Sequence, residues 1–165
     1  MINRDETVRA VLALGMNNAT DVVISGCSAG GLAVYLGIDQ MTNLIHTVNP
    51  TAKVRGLAIS GYFPDYHNPD NQAVMNYNLL EYPGKSYRYA MEETFEWMNI
   101  SAGTHPDCVH AYTHKHHKIW LPVSNTNTNK ATATVLASSA CFFAGHVAPF
   151  IQTPIFSIQV MYLFF

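Results

Sequence analysis

One stretch of the chain carries residues whose types and spacing support nucleophilic chemistry. It runs from Val22 to Leu36 and reads V-V-I-S-G-C-S-A-G-G-L-A-V-Y-L. The β-branched residues at its start favour a strand, and the apolar residues after the glycines favour a helix. Ser28 therefore stands on a sharp strand-to-helix turn in the pattern G-x-S-x-G, which presents a serine hydroxyl as a nucleophile for acyl transfer.

The glycines around Ser28 have a steric role in this prediction. Side chains at Gly26 and Gly30 are expected to collide with the neighbouring strand and helix, and Gly31 continues the turn. The backbone N–H of Ala29 lies at the predicted helix N-terminus, where it can stabilise an oxyanion. A phosphate-binding loop with an incidental serine is the alternative, but the stretch lacks the ending of a P-loop and does not match G-x-G-x-x-G.

The elements around this turn predict an α/β protein. The predicted strands are Asp21–Ser25, Lys53–Ile59 and Ile155–Met161. The predicted helices are Arg4–Gly15, Ala29 to about Thr47 and Tyr87–Met98, with short ones at Ala73–Leu80 and Ala131–Ser139. A helix that connects two successive strands implies a parallel, right-handed βαβ unit, so the turn at Ser28 lies at the carboxyl end of a parallel strand.

Composition excludes several classes of partner. The 165 residues are 48% apolar and 12% charged with a net charge of −2, which indicates a folded domain and gives no electrostatic basis for nucleic-acid binding. We expect no membrane span, because no run of 18 apolar residues occurs. The first residues do not have a signal-peptide pattern. Two N-glycosylation sequons, at Asn18 and Asn99, are compatible with secretion.

Histidines raise the question of a metal site. Five of the eight lie between Ala102 and Asn129, and His110 and His114 are spaced to share one face of a helix. Neither an H-E-x-x-H motif nor paired cysteines of zinc-ribbon spacing accompany them. We therefore expect a solvated, partly basic surface with no metal and no cofactor, and a histidine-based metal protein is the alternative.

The stretch Asn17–Ala33 resembles the core signature of the pectin acetylesterase family, which also includes the Notum carboxylesterases. The cysteine before Ser28 and the doubled glycine after it are more specific than G-x-S-x-G alone. The stretch Cys141–Phe156 resembles a second family segment, a C-F-F run followed by T-P-I-F. The resemblance implies an α/β-hydrolase-like parallel sheet with flanking helices and a Cys108–Cys141 disulfide; two free buried thiols are the alternative.

The same resemblance implies a function. It predicts a secreted serine carboxylesterase in which Ser28 attacks an O-acyl ester and the Ala29 N–H supplies half of an oxyanion hole. The substrate class is an acylated polysaccharide such as pectin, or an acylated protein. After the second strand, Ser60–Asp65 resembles the family loop D-[AS]-G-[FWY]-F-x-D. Ile59 stands where the family has the first aspartate, and Asp65 matches the second.

The resemblance also implies that residues 1–165 form a partial, incomplete domain with about three strands of the sheet. In the family the triad acid and histidine follow the strand that corresponds to Ile155–Met161, and a glycine-rich oxyanion loop precedes the turn. We therefore expect a fragment with little activity of its own. His146 is a weak substitute for the base, and Asp39 is expected to be a helix-surface or packing residue. The alternative is an inactive homologue that binds a glycan or a protein.

Overall fold

The computed structural model describes residues 2–65, 87–114 and 138–159. Helices there are α1 (Ile2–Ala13), α2 (Ala29–His46), α3 (Tyr87–Trp97), α4 (Pro106–His114) and α5 (Ala144–Val147). Strands are β1 (Asp21–Cys27), β2 (Lys53–Ile59) and β3 (Ile155–Ile158). Short 3₁₀ turns lie at Met16–Asn18, Ile100–Ala102, Ser139–Phe142 and Ala148–Phe150.

The three strands form one parallel sheet in the order β1-β2-β3. Asp21 lies opposite Lys53 and Cys27 opposite Ile59, so β1 and β2 pair along their whole length. Helix α2 connects these two strands, as the predicted βαβ unit requires. The fold class is confirmed: this is a partial α/β-hydrolase-like parallel sheet with flanking helices.

Helix α2 covers one face of the sheet. Val22 of β1 points towards it and is 8% exposed, whereas Val23 on the other face is 63% exposed. The buried residues of α2 include Leu32, Val34 and Ile38, and their apolar spacing on one side of the helix explains why this side packs on the strands. Gly56 in β2 allows the close approach, because a Cβ there would lie 2.9 Å from a Val34 methyl group.

A disulfide links helix α4 to the Ser139–Phe142 turn. Cys108 of α4 and Cys141 of the Ser139–Phe142 turn are linked and fully buried, and they are the pair that the family resemblance implied. Phe95 of α3 contacts Phe142, with ring centroids 6.0 Å apart. The disulfide therefore ties α4 to the segment that α3 packs against.

Asp39 on α2 anchors the segment that leads into β3. Its carboxylate accepts hydrogen bonds from the backbone N–H groups of Gln152 and Thr153 at 2.9 and 2.8 Å. His105 Nε2 lies 3.1 Å from the same carboxylate. Burial acts to raise the pKa of Asp39, but the hydrogen bonds from Thr153, Gln152 and His105 outweigh it and lower that pKa below 3.8. Asp39 thus has a structural role, since it holds the backbone that leads into β3.

Element boundaries differ from the predictions by a few residues. Strand β1 continues two residues past the predicted end at Ser25, because it pairs with β2 as far as Cys27. The helix predicted at Ala73–Leu80 and nearly all of the one at Ala131–Ser139 lie outside the described residues. Among the helices that are described, none is long and apolar enough to cross a membrane.

Replacing Asp39 with asparagine should lower the free energy of unfolding at pH 7 and make it fall less steeply as the pH is lowered. An amide has one acceptor oxygen for two backbone donors, so we expect Asp39→Asn to cost about 1–3 kcal/mol at pH 7. The folded-state pKa of Asp39 is lowered, so its contribution is present above pH 3.8 and is lost as the pH falls through and below that value. Urea unfolding between pH 7 and pH 3 should therefore show that the free energy of unfolding falls less steeply with acid in Asp39→Asn than in the wild type.

The exposed Glu96→Gln is the control. If the free energy of unfolding had the same pH dependence in Asp39→Asn and wild type, the role assigned to the Asp39 carboxylate would be contradicted.

Candidate active site

Ser28 occupies a strained turn between β1 and α2. Its φ of 55° and ψ of −121° lie in a region that a non-glycine residue rarely adopts. The Ser28 N–H donates to the Ile59 carbonyl at 2.8 Å, and the Ser28 carbonyl accepts the Leu32 N–H at 3.0 Å. Ser28 is exposed and directly follows the carboxyl end of β1.

Two of the three glycines around Ser28 are required by close backbone contacts. A Cβ on Gly26 would lie 2.3 Å from the Gly30 carbonyl carbon, and a Cβ on Gly31 would lie 2.8 Å from Gly61 Cα. The collision predicted at Gly26 is therefore present. The collision predicted at Gly30 is wrong: apart from its chain neighbours and the backbone of its own helix, no described atom lies within 4 Å of its Cβ position.

The start of α2 offers donors for an oxyanion. Ala29 is the first residue of the helix and is exposed beside Ser28. N–H groups in the first turn of a helix have no acceptor within it, and the helix dipole favours negative charge there. The Ala29 N–H can thus stabilise the oxyanion of a tetrahedral adduct on Ser28.

A second strained serine lies at the end of the adjacent strand. Ser60 follows β2 with a φ of 48°, and its N–H donates to the Ile158 carbonyl of β3 at 2.6 Å. The loop Ser60–Asp65 continues from it and contacts α2 through Tyr62, whose ring meets Tyr35 edge-on at 6.2 Å. Ligands of parallel α/β sheets bind at the carboxyl ends of the strands, which is where this loop and Ser28 lie together.

Asp65, at the end of that loop, is held by side chains that include Arg88 and His146. Arg88 of α3 contacts both carboxylate oxygens through Nη1 at 3.0 and 3.1 Å. His146 of α5 places Nε2 at 2.9 Å from the same carboxylate. The Asp65 side chain is 13% exposed and that of Arg88 is 12% exposed, so this is a largely buried ion pair rather than a surface one.

The cluster continues on either side of Asp65. Arg88 Nε donates to Glu92 on the next turn of α3 at 2.7 Å, and the Tyr112 hydroxyl of α4 lies 2.6 Å from His146 Nδ1. Burial, with a smaller contribution from the Asp65 charge, raises the pKa of Tyr112. Sequence reasoning singled out Asp65 and His146 separately but missed Arg88; its spacing of four residues from Glu92 was the available signal.

Three described histidines hydrogen-bond to groups other than Ser28. His146 binds Asp65 and Tyr112, His105 binds Asp39, and His46 Nε2 lies 3.0 Å from the Ala52 carbonyl at the far end of α2. In the part of the chain that the structure describes, no side chain hydrogen-bonds to the Ser28 hydroxyl. His67, His116 and His117, with the side chain of His114, fall outside that part.

The described residues contain no group of three or more histidine, cysteine, aspartate or glutamate side chains that could hold a metal ion. A cavity of about 450 Å³ lies instead among Asp39, His105 and Val54. Val54 is near the beginning of β2, whereas Ser28 follows the end of β1, so this cavity lies at the opposite edge of the sheet from Ser28.

The two glycines flanking Ser28 should respond differently to the same substitution. Gly26→Ala places a methyl group against the Gly30 backbone, and we expect a loss of about 1–3 kcal/mol with displacement of the turn. Gly30→Ala adds a methyl group in open space on a helix, and should be neutral or stabilising by up to about 1 kcal/mol. Denaturant unfolding of the two variants measures this, and equal losses would contradict the contact at Gly26.

The ion pair at Asp65 should contribute far more than an exposed one. Asp65→Asn leaves the Arg88 charge largely buried with a weakened set of partners, so a loss of about 3–5 kcal/mol is expected. The matched control is Asp21→Asn, which removes the exposed pair with Arg55 at 3.2 Å and should cost less than about 1 kcal/mol. Chemical denaturation at pH 7 compares them; a cost at Asp65 no larger than at Asp21 would show that the cluster does not hold the loop.

Comparison with known proteins places this geometry in a family. The chain is 30% identical over 155 residues to pectin acetylesterase 11 of Arabidopsis thaliana, a match that covers 92% of this chain and 29% of that protein. It is 28% identical over 162 residues to palmitoleoyl-protein carboxylesterase notum1a of Danio rerio, covering 95% and 26% respectively. The mouse NOTUM carboxylesterase is 41% identical over 61 residues, covering 36% of this chain and 12% of that protein.

The chain thus spans less than a third of the length of each of these relatives. The family model described as pectinacetylesterase matches residues 3–163, nearly the whole chain. That match takes in the strained turn at Ser28, the loop to Asp65 and the disulfide-linked segment before β3. The chain belongs to the pectinacetylesterase family.

Proposed function

We propose that this chain carries the nucleophile of a carboxylic ester hydrolase that removes O-acyl groups from its substrate. The observation that carries the proposal is the exposed Ser28 on a strained strand-to-helix turn, within the sequence Gly26–Gly31. Residues are kept in such backbone conformations only where the surrounding structure over-determines them, and these positions cluster at active sites.

In the proposed reaction the Ser28 Oγ attacks the ester carbonyl carbon while a general base takes its proton. The Ala29 N–H donates to the oxyanion that forms, the C–O bond of the alcohol breaks, and the alcohol leaves with a proton. Water then attacks the acyl-enzyme and releases the carboxylic acid. Gly26 and Gly31 have no direct part in this chemistry; they permit the backbone contacts that fix Ser28 in position.

The names of the relatives suggest the substrate class. Those relatives are named as a pectin acetylesterase and as palmitoleoyl-protein carboxylesterases, so we propose an O-acylated polysaccharide such as pectin or an acylated protein. We also propose that the protein is secreted. The buried Cys108–Cys141 disulfide supports this, since disulfides persist mainly in oxidising compartments.

We further propose that residues 1–165 alone hydrolyse esters slowly or not at all. His46, His105 and His146 are engaged by other groups, so none of these three histidines is positioned as a base for Ser28. Loss of one triad member reduces kcat by roughly 10⁴–10⁶-fold in serine hydrolases. The second candidate function, an inactive homologue that binds a glycan or a protein, is favoured by this same observation.

A serine-reactive fluorophosphonate probe tests the assignment of Ser28. With high concentrations of imidazole as an external base, we expect labelling of the folded chain that is lost in Ser28→Ala. Ser25→Ala is the matched control, because Ser25 is also exposed and lies on the same strand; it should label like the wild type. Hydrolysis of a small acetyl ester without imidazole should stay close to the uncatalysed rate.

Two results would overturn these proposals separately. A folded chain that is not labelled with imidazole present, or is labelled equally in Ser28→Ala, would remove Ser28 as the nucleophile. Rapid ester turnover without imidazole that depends on Ser28 would leave the nucleophile in place. It would instead refute the low activity proposed for this chain.

A further inference from the structure

The turn that ends helix α3 contains a second chemical signal that the esterase proposal does not use. Asn99, Ile100 and Ser101 form an N-x-S sequon that begins two residues after the end of α3. Asn99 is exposed and adopts left-handed backbone angles, with φ and ψ both 48°. Its N–H donates to the Glu96 carbonyl at 3.1 Å and ends the helix, so its side chain projects from a surface turn.

The two polar side chains of this sequon already contact each other. The Ser101 hydroxyl donates to Asn99 Oδ1 at 3.2 Å. Within the described residues the amide nitrogen of Asn99 makes no hydrogen bond. The reactive nitrogen is therefore free, while the carbonyl oxygen of the same amide is oriented by the hydroxyl two residues later.

From this geometry we propose that Asn99 is an N-glycosylation site. The donor is a polyprenyl-pyrophosphate-linked oligosaccharide of the secretory pathway. The Asn99 amide nitrogen forms a bond to C1 of the first sugar and loses a proton. The bond between C1 and the pyrophosphate oxygen breaks, and the polyprenyl pyrophosphate leaves with the electron pair.

The surroundings of Asn99 fit an attached glycan. Trp97 and Met98, directly before it, are 76% and 71% exposed, so a sugar at Asn99 would lie beside two large apolar side chains and shield them from water. Arg88, which holds Asp65, lies in the first turn of α3, nine residues and about 14 Å along the axis from Trp97 at the helix end. The glycan would thus project from the end of α3 that is remote from the buried ion pair.

The experiment expresses the full chain behind a cleavable secretory leader in eukaryotic cells, in an Asn18→Gln background so that one sequon remains. We expect a mass shift that peptide N-glycosidase removes, with conversion of Asn99 to aspartate detected by peptide mass spectrometry. Ser101→Ala should abolish the shift, and Ser101→Thr, which keeps the hydroxyl, should retain it. Formation of the Cys108–Cys141 disulfide, scored in the same sample, reports that the chain was translocated and folded.

Glycan attachment at Asn99 supports the site if it is lost in Ser101→Ala and kept in Ser101→Thr. An unmodified Asn99 in secreted, disulfide-bonded chain overturns it, as does a shift that persists in Ser101→Ala. These results do not depend on Ser28, so a failure here is distinguishable from a failure of the esterase proposal.

Discussion

The contact between the turn at Ser28 and the end of β2 is the constraint on which the rest of the candidate site depends. The Ile59 carbonyl holds the Ser28 N–H, and Gly31 meets Gly61 with backbone against backbone. Side chains at either glycine would separate the two turns. Because both strands are parallel and end at the same edge, one pair of small residues aligns Ser28, the first turn of α2 and the loop after β2.

The loop after β2 is held at both ends. Its start is fixed by the hydrogen bond from the Ser60 N–H to the Ile158 carbonyl of β3. Its end is fixed by the contacts of Asp65 with Arg88 and His146. A carboxylate that is this buried is retained only with charged or hydrogen-bonding partners, because its desolvation is otherwise too costly. The consequence for chemistry is that His146 serves the loop: its Nε2 faces Asp65 and its Nδ1 faces Tyr112, so neither ring nitrogen is directed at Ser28.

Asp39 of α2 fixes the segment before β3, as Arg88 and His146 fix the end of the loop after β2. Its carboxylate binds consecutive backbone N–H groups, Gln152 and Thr153, just before the strand. The Cys108–Cys141 disulfide secures the preceding segment to α4. Both links are long-range in sequence, so the third strand is placed by side chains rather than by a short connection. This explains how a strand about one hundred residues after β2 pairs next to it.

Local sequence determined the elements at the site. The run of β-branched residues before Gly26 and the apolar spacing after Gly31 are periodic signals, and they placed β1, Ser28 and α2 almost to the residue. The family segment at Cys141–Phe156 indicated the start of β3, and the resemblance paired Cys108 with Cys141. These features depend on neighbours in sequence or on a motif, and both can be read without a structure.

Only the tertiary structure decided which residues meet. The Arg88–Asp65–His146 cluster joins α3, a loop and α5, and no periodicity connects those positions. The roles of Gly26 and Gly30 look equivalent in the pattern G-x-S-x-G, yet one faces backbone and the other faces open space, because the helix turns its second residue away from the sheet. The sequence thus determined that Ser28 stands on a turn between a strand and a helix, whereas packing decided which side chains hold the neighbouring loop, since contact between distant segments depends on the arrangement of the whole sheet.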